Sequence, residues 1–193
     1  MAAIVSIVIA YLIGSLNMSI IIAKLLGKPD PRTVGSGNAG ATNVLRTGSK
    51  QDAAWVLIGD IVKGVIAVVI ARIFHVEGFL LGIVALAAIV GHVFPIYFKF
   101  KGGKGVATMM GVLIALNIWI GVISLAVWVI VALLIRYASL ASLSAATAAV
   151  ICSLIFGHFT YFVPLLIIAA LIFWKHMGNI ERLKAGTEGK IKF

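Results

Sequence analysis

The chain has 193 residues, of which 62% are hydrophobic and only 11% are charged. Soluble globules run at roughly half apolar and a quarter charged, so this balance excludes an ordinary soluble fold and calls for membrane spans. A formal charge of +10 comes with only four Trp, four Tyr and no basic recognition helix. It therefore speaks for basic loops beside anionic headgroups or substrates, not for nucleic acid.

Residues 2–23 read as a first span, since they lack the basic n-region and cleavage site of a secretory leader. A polar segment, 24–52, follows with Pro29, Pro31 and a run of glycines. Span two covers 53–72, a turn 75–78, span three 79–97 and a charged loop 98–104. Within span two Asp60 and Lys63 lie three residues apart, where charges are costly unless paired or facing a polar interior. An ion pair is expected for Asp60, with Lys63 either its partner or reaching toward a site; Arg72 snorkels at the far border. Residues 105–135 carry no charge and form one long tilted helix or two short ones broken near Asn117 or Gly121. After Arg136 and Tyr137 come spans 140–156 and 159–174 and a polar tail, 175–193. Cys152 sits in an apolar run and reads as packing.

Charge chooses between the two forms of 105–135. The first polar segment carries Lys24, Lys28, Arg32, Arg46 and Lys50, and the second Lys99, Lys101 and Lys104. The tail carries Lys175, Arg182, Lys184, Lys190 and Lys192. The positive-inside rule puts all three in the cytoplasm, so an even number of crossings separates Lys104 from Lys175. The expectation is an all-α polytopic integral membrane protein, one domain over 1–193, with seven transmembrane helices, the N-terminus outside and the C-terminus cytoplasmic. Six spans, with the tail outside, is the alternative.

The first polar segment holds Gly35-Ser36-Gly37-Asn38-Ala39-Gly40-Ala41-Thr42-Asn43-Val44-Leu45-Arg46. Its literal GxGxxG means a dinucleotide site only after a β-strand, and here a transmembrane span precedes it. What survives is a glycine-freed backbone whose N–H groups can turn toward an anion, with Ser36, Asn38, Thr42, Asn43 and the Arg46 fork alongside. A solvated loop is the plain alternative. In the second segment His92 lies near the cytoplasmic end of span three, and Lys101-Gly102-Gly103-Lys104 opens the next helix. No Walker A motif is present, because Gly105 follows Lys104 where Ser or Thr is required. Lys101 and Lys104 among glycines still suit a phosphate, and His92 suits hydrogen bonding or proton movement. In the tail, Asn179 and Arg182 lie three apart and share a helical face. Scattered histidines and few acidic residues suggest no metal site.

Together the three segments resemble the bacterial glycerol-3-phosphate acyltransferases that use acyl phosphate as donor, the PlsY family. The resemblance spans the chain: Gly35 to Arg46; Gly91, His92, Phe94, Pro95 and Phe100 to Thr108; then His176, Asn179, Ile180, Arg182, Leu183, Gly186 and Glu188. Tyr11, Gly14, Ser15, Asp60, Lys63 and Gly64 also match, whereas Asn17 replaces a usual proline and Met177 a common arginine. The HxxxxD box of other glycerolphosphate acyltransferases is absent: Leu80, Tyr97, Val163 and Glu181 stand five places after the four histidines.

The resemblance implies acyl transfer from acyl phosphate to the sn-1 hydroxyl of glycerol 3-phosphate, giving lysophosphatidate and phosphate, without cofactor. It implies a bacterial inner-membrane enzyme in contact with lipid, its site facing the cytoplasm. Ser36, Arg46, His92 and Lys104 are the expected catalytic residues. The substrates are expected at Gly37, Asn38, Gly40, Thr42 and Asn43, at Lys63, Lys101, Gly102 and Gly103, and at His176, Asn179, Arg182 and Glu188. Direct attack by the hydroxyl needs a base, either His92 or a substrate phosphate; an acylated Ser36 is the alternative route. An organic-phosphate transporter is the rival function.

Overall fold

The computed structural model describes residues 1–191, so Lys192, counted above among the tail charges, lies outside the described residues. Regular structure among them is helical throughout: α1 (Ala2–Gly14), α2 (Met18–Leu25), α3 (Ala41–Thr47), α4 (Lys50–Ile73) and α5 (Gly78–Val93). A short 3-10 turn, Ile96–Phe98, leads to α6 (Val106–Leu116), α7 (Ile118–Ile135), α8 (Ala138–Ile155), α9 (Phe159–Lys175) and α10 (Met177–Lys184).

The stretches Lys50–Ile73, Gly78–Phe98, Ile118–Ile135 and Ala138–Ile155 are long and apolar enough to cross a membrane. Counting the bent pairs α1–α2 (43°) and α9–α10 (58°) as one span each raises the number to six. α6, with 11 residues, is shorter. The exposed flank of α4, which includes Leu57, Ile58, Val62, Ile66 and Val69, is apolar, as a lipid-facing surface requires.

Two breaks in the apolar runs have the same cause, an asparagine that caps the next helix. The first run is not one continuous helix: Asn17 Oδ1 accepts from the Ile20 amide at 3.3 Å and the Ser19 hydroxyl at 2.7 Å. Backbone groups freed at the break are taken up by the charged pair in α4. Lys63 Nζ donates to the Leu16 carbonyl at 2.8 Å, and the Met18 amide donates to Asp60 Oδ1 at 3.4 Å. Broken backbone is tolerated at membrane depth when protein groups satisfy it in this way. The second break falls at Asn117, whose Oδ1 accepts from the Trp119 and Ile120 amides at 3.0 and 3.1 Å.

Small residues then let the helix backbones touch. A Cβ at Gly111 would stand 2.0 Å from the Ile61 carbonyl oxygen, and one at Gly64 would stand 2.5 Å from that of Thr108, so α4 and α6 lock together. α6 is mostly buried between its neighbours, and Val68, Val84, Ile89, Leu113, Ile168 and Ile172 fill the core around it. At one end of the bundle Arg72 donates to the Leu116 carbonyl at 2.9 Å, and Asn117 Nδ2 meets His158 Nε2 at 2.8 Å. The glycine segments, α3 and α10 gather at the opposite end.

Candidate active site

Gly35 and Gly37 adopt left-handed backbone (φ 61° and 69°), which glycine alone reaches at no steric cost. The resulting turn is held from inside by Asn43. Its Oδ1 accepts from the Ser36 amide at 2.8 Å, and its Nδ2 donates to the carbonyls of Pro31 (2.7 Å) and Val34 (3.0 Å). Asn43 is thus spent on the loop, and α3 carries Arg46 one turn further on. Arg46 Nη2 donates to the Gly189 carbonyl of the tail at 3.0 Å.

The second segment folds back on the end of α5. The amides of Gly102 and Gly103 donate to the carbonyls of Val93 and His92, each at 3.2 Å. There is no room for side chains: a Cβ at Gly102 would stand 2.0 Å from the His92 carbonyl oxygen, and one at Gly103 would stand 2.3 Å from His92 Nε2. Arg32, paired with Asp30, donates to the Phe98 carbonyl at 3.1 Å and ties this loop to the first. The tight fold delivers Lys104 to Asn179, whose Oδ1 it contacts. Burial, together with the positive charges of Arg182, Lys175 and Arg46, lowers the Lys104 pKa to about 8, against an opposing pull from Glu188.

In the tail, Glu188 collects donors from two elements. Asn179 Nδ2 (2.6 Å), Ser139 Oγ (2.8 Å) and Arg182 Nε (2.8 Å) all donate to its carboxylate. Burial alone would raise the Glu188 pKa, but these bonds win and hold it below the ordinary value. His176 Nδ1 lies 2.8 Å from the Ile172 carbonyl. A carbonyl can only accept, so Nδ1 carries the hydrogen and Nε2 keeps its lone pair. Burial and the nearby Lys104 charge lower the His176 pKa to about 4, so the ring is neutral at pH 7.

One cavity of about 510 Å³ joins these pieces. Its polar end is lined by Ser36, Gly37, Asn38, Gly40, Thr42, Asn43 and Arg46, by His92, Gly102 and Lys104, and by His176, Asn179, Arg182 and Glu188. Its other wall is apolar and runs into the bundle along Leu57, Ile61, Met110, Leu125, Trp128 and Val129. A basic, donor-rich head opening onto an apolar slot fits a phosphate joined to a long hydrocarbon.

Relatives share this whole chain. The family model described as glycerol-3-phosphate acyltransferase matches residues 4–186. The chain belongs to the glycerol-3-phosphate acyltransferase family. A glycerol-3-phosphate acyltransferase of Coxiella burnetii (strain Dugway 5J108-111) is 58% identical over 192 residues, 100% of each chain. That of Thioalkalivibrio sulfidiphilus is 48% identical over 94% of this chain and 90% of its own. The crystal structure of PlsY, an integral membrane glycerol 3-phosphate acyltransferase, in its glycerol 3-phosphate form superposes with a TM-score of 0.94 at 39% identity, covering 100% of this chain and 96% of that one. Its lysophosphatidic acid form gives 0.92 at 38%, with the same coverage. The chain is therefore a multi-pass membrane acyltransferase, which displaces the transporter reading.

For this acyltransferase, three of the expected site residues stand off the cavity. Lys101 is exposed and meets Arg32 only through its carbonyl, at 3.5 Å. Gly103 supports the loop from behind. Lys63 is buried under the site, with Nζ 2.7 Å from Asp60 Oδ1 and 2.9 Å from His92 Nδ1. Ser139, Ser142 and Lys175 line the cavity without having been singled out. The two serines sit three apart near the start of an alanine-rich span, so their polarity was the available signal. Trp128 Nε1 donates to Ser142 Oγ at 3.1 Å, which pins the indole as part of the apolar wall.

Proposed function

We propose that the chain transfers a fatty acyl group from acyl phosphate to the sn-1 hydroxyl of glycerol 3-phosphate. The products are 1-acylglycerol 3-phosphate (lysophosphatidate) and inorganic phosphate. The observation that carries this reading is the single cavity in which Arg46, Lys104, Asn179 and Arg182 meet at the head of an apolar slot. In this reading the donor's phosphate lies against Ser36–Gly40 and Lys104, with its acyl chain along Leu57, Met110 and Trp128. Glycerol 3-phosphate lies against Arg46, Asn179 and Arg182, and Arg46 exchanges the Gly189 carbonyl for a phosphate oxygen.

The sn-1 oxygen attacks the carbonyl carbon, an ester C–O bond forms, and the bond from that carbon to the phosphate oxygen breaks. Lys104 and backbone N–H groups lower the barrier, because preorganised donors act where charge develops on the carbonyl oxygen and the leaving phosphate. The free Nε2 of His176 accepts a hydrogen bond from the attacking hydroxyl and aims it. With a pKa of about 4 this imidazole is too weak a base to keep the proton. The departing phosphate takes it, having a second pKa near neutrality. A direct route needs no acyl-enzyme, and among the described residues no histidine or carboxylate hydrogen-bonds the Ser36 hydroxyl.

The chain crosses the bacterial inner membrane seven times in this reading, with the site at the cytoplasmic face. α6 serves as a short crossing sheltered by its neighbours, and the turn at Asn117 lets Gly121 pack 2.6 Å (as a built Cβ) from Ile114 Cα. A label at the C-terminus reached only from the outside would refute the seven-span arrangement. For the reaction, purified protein in lipid should release phosphate in step with lysophosphatidate formation, and lose both in Arg46→Ala and Lys104→Ala. Phosphate release without lysophosphatidate would sink it.

A further inference from the structure

The cluster beneath the site, Asp60, Lys63 and His92, is spent by none of these steps, and its geometry leaves little freedom. Lys63 Nζ has three hydrogens and three acceptors: Asp60 Oδ1 at 2.7 Å, the Leu16 carbonyl at 2.8 Å and His92 Nδ1 at 2.9 Å. The first two can only accept, so the third hydrogen goes to Nδ1, which must offer its lone pair. A neutral imidazole whose Nδ1 accepts carries its hydrogen on Nε2. For Nε2 to act instead as a base, the hydrogen would sit on Nδ1 and point at the Lys63 ammonium at 2.9 Å, with the Asp60 carboxylate oxygen further off at 3.5 Å. Both residues are at most 4% exposed, so burial leaves that clash unscreened.

Nε2 is aimed where the two glycine segments meet. The point a Gly103 Cβ would occupy is 2.3 Å from Nε2 and 2.4 Å from the Ala39 carbonyl oxygen. Among the described residues Nε2 makes no hydrogen bond, while His92 lines the cavity. Asn17 strengthens the seam by donating to the Ala39 carbonyl at 3.4 Å, so that carbonyl already has a donor. We propose that Asp60 and Lys63 are positioning residues that fix His92 in its Nε2–H tautomer, and that His92 donates this hydrogen to an oxygen of the acyl phosphate at the seam of the glycine segments. His92 is then a hydrogen-bond donor to the reacting group, not the base. The inference rests on the acyl-transfer reading above and adds the device that orients one of its donors.

The test uses the full-length protein in lipid nanodiscs with 15N-labelled histidine. The His92 signals, assigned by their loss in His92→Gln, are expected as a pyridine-type Nδ1 and a pyrrole-type Nε2. A non-hydrolysable acyl phosphonate should move the Nε2 signal, and glycerol 3-phosphate alone should not. Glutamine can present an N–H near the Nε2 position but cannot take a proton. His92→Gln should therefore retain more kcat than His92→Ala, which should lose about 10- to 100-fold, the worth of a hydrogen bond to a charged group. The charge-neutral pair Asp60→Asn with Lys63→Met should lower kcat in the wild-type background and leave His92→Gln unchanged. A pyridine-type Nε2, equal loss in Gln and Ala, or undiminished turnover in His92→Ala would each overturn the proposal. Those results are separable from the reaction itself, because wild-type formation of lysophosphatidate from acyl phosphate stands or falls independently. If the double variant does not fold, the wild-type spectrum and the two His92 variants still decide.

Discussion

His92 and His176 both line the cavity, yet their surroundings are opposite in kind. His92 is held inside the bundle by an ammonium that faces its Nδ1, whereas His176 is held at the end of α9 by a carbonyl that faces its Nδ1. One partner donates and the other accepts, so the two rings present opposite Nε2 chemistry to the same cavity: a hydrogen from below and a lone pair from the tail. The difference extends to their neighbours. Beneath the site, fixed charges replace water and double as caps for a broken helix; at the rim, Arg46, Lys104 and Arg182 hold exchangeable contacts with Gly189, Asn179 and Glu188. Interior changes should therefore strike the fold, and rim changes the rate.

The largest effect is expected from Lys63→Met. It strands the Asp60 carboxylate, 1% exposed, and an unpaired buried charge costs about 3–5 kcal/mol. Thermal unfolding in detergent should show a large drop or no folded yield, with recovery when Asp60→Asn is added. Recovery failing to appear would mean that the backbone contacts to Leu16 and Met18 matter more than charge balance. At the rim, Arg46→Ala and Lys104→Ala should each cut kcat/KM by about 10²- to 10³-fold, as removal of transition-state donors does, with an unchanged melting temperature. A matching loss of stability would erase the contrast between the two regions.

His176→Ala should lower kcat by about 10²-fold, the scale on which misaiming an attacking group costs rate. In steady-state assays the KM for acyl phosphate should change less than kcat. The pH profile is a subtler check. Burial holds the Lys104 pKa at about 8 instead of its ordinary 10.5, so the ammonium that binds phosphate is present below that pH and lost above it. kcat/KM should fall as pH rises through about 8, and Lys104→Arg, which stays charged, should carry activity to higher pH. Smallest of all, Ser139→Ala removes one of three donors to Glu188 and should cost about 1 kcal/mol or less, read as a several-fold change in kcat/KM.

Much of this was legible without coordinates. Apolar runs long enough to span follow from hydropathy, a break near Asn117 or Gly121 from the charge of the flanking loops, and an ion pair for Asp60, with Lys63 as one of its two readings, from the cost of buried charge. The polar residues of the three segments also declared themselves, because glycines, lysines and arginines stand out against an apolar chain. The break after Gly14 was not legible, since Asn17 and Ser19 look like two polar residues within an otherwise apolar run. The wall of Leu57, Met110 and Trp128 was hidden because its residues resemble the helices they belong to, and Ser139 and Ser142 offered only their polarity.

The sequence by itself determined that the chain crosses a membrane, which segments gather the basic residues and which chemistry those residues suit. These are one-dimensional properties, set by residue type and local spacing. Only the tertiary structure decided that Lys63 serves His92 and the Leu16 carbonyl and does not line the cavity, that Asn43 is spent on its own loop, and that the two histidines present opposite faces. Those outcomes depend on which acceptor stands within hydrogen-bond reach of each donor, and helices far apart in the chain supply the partners.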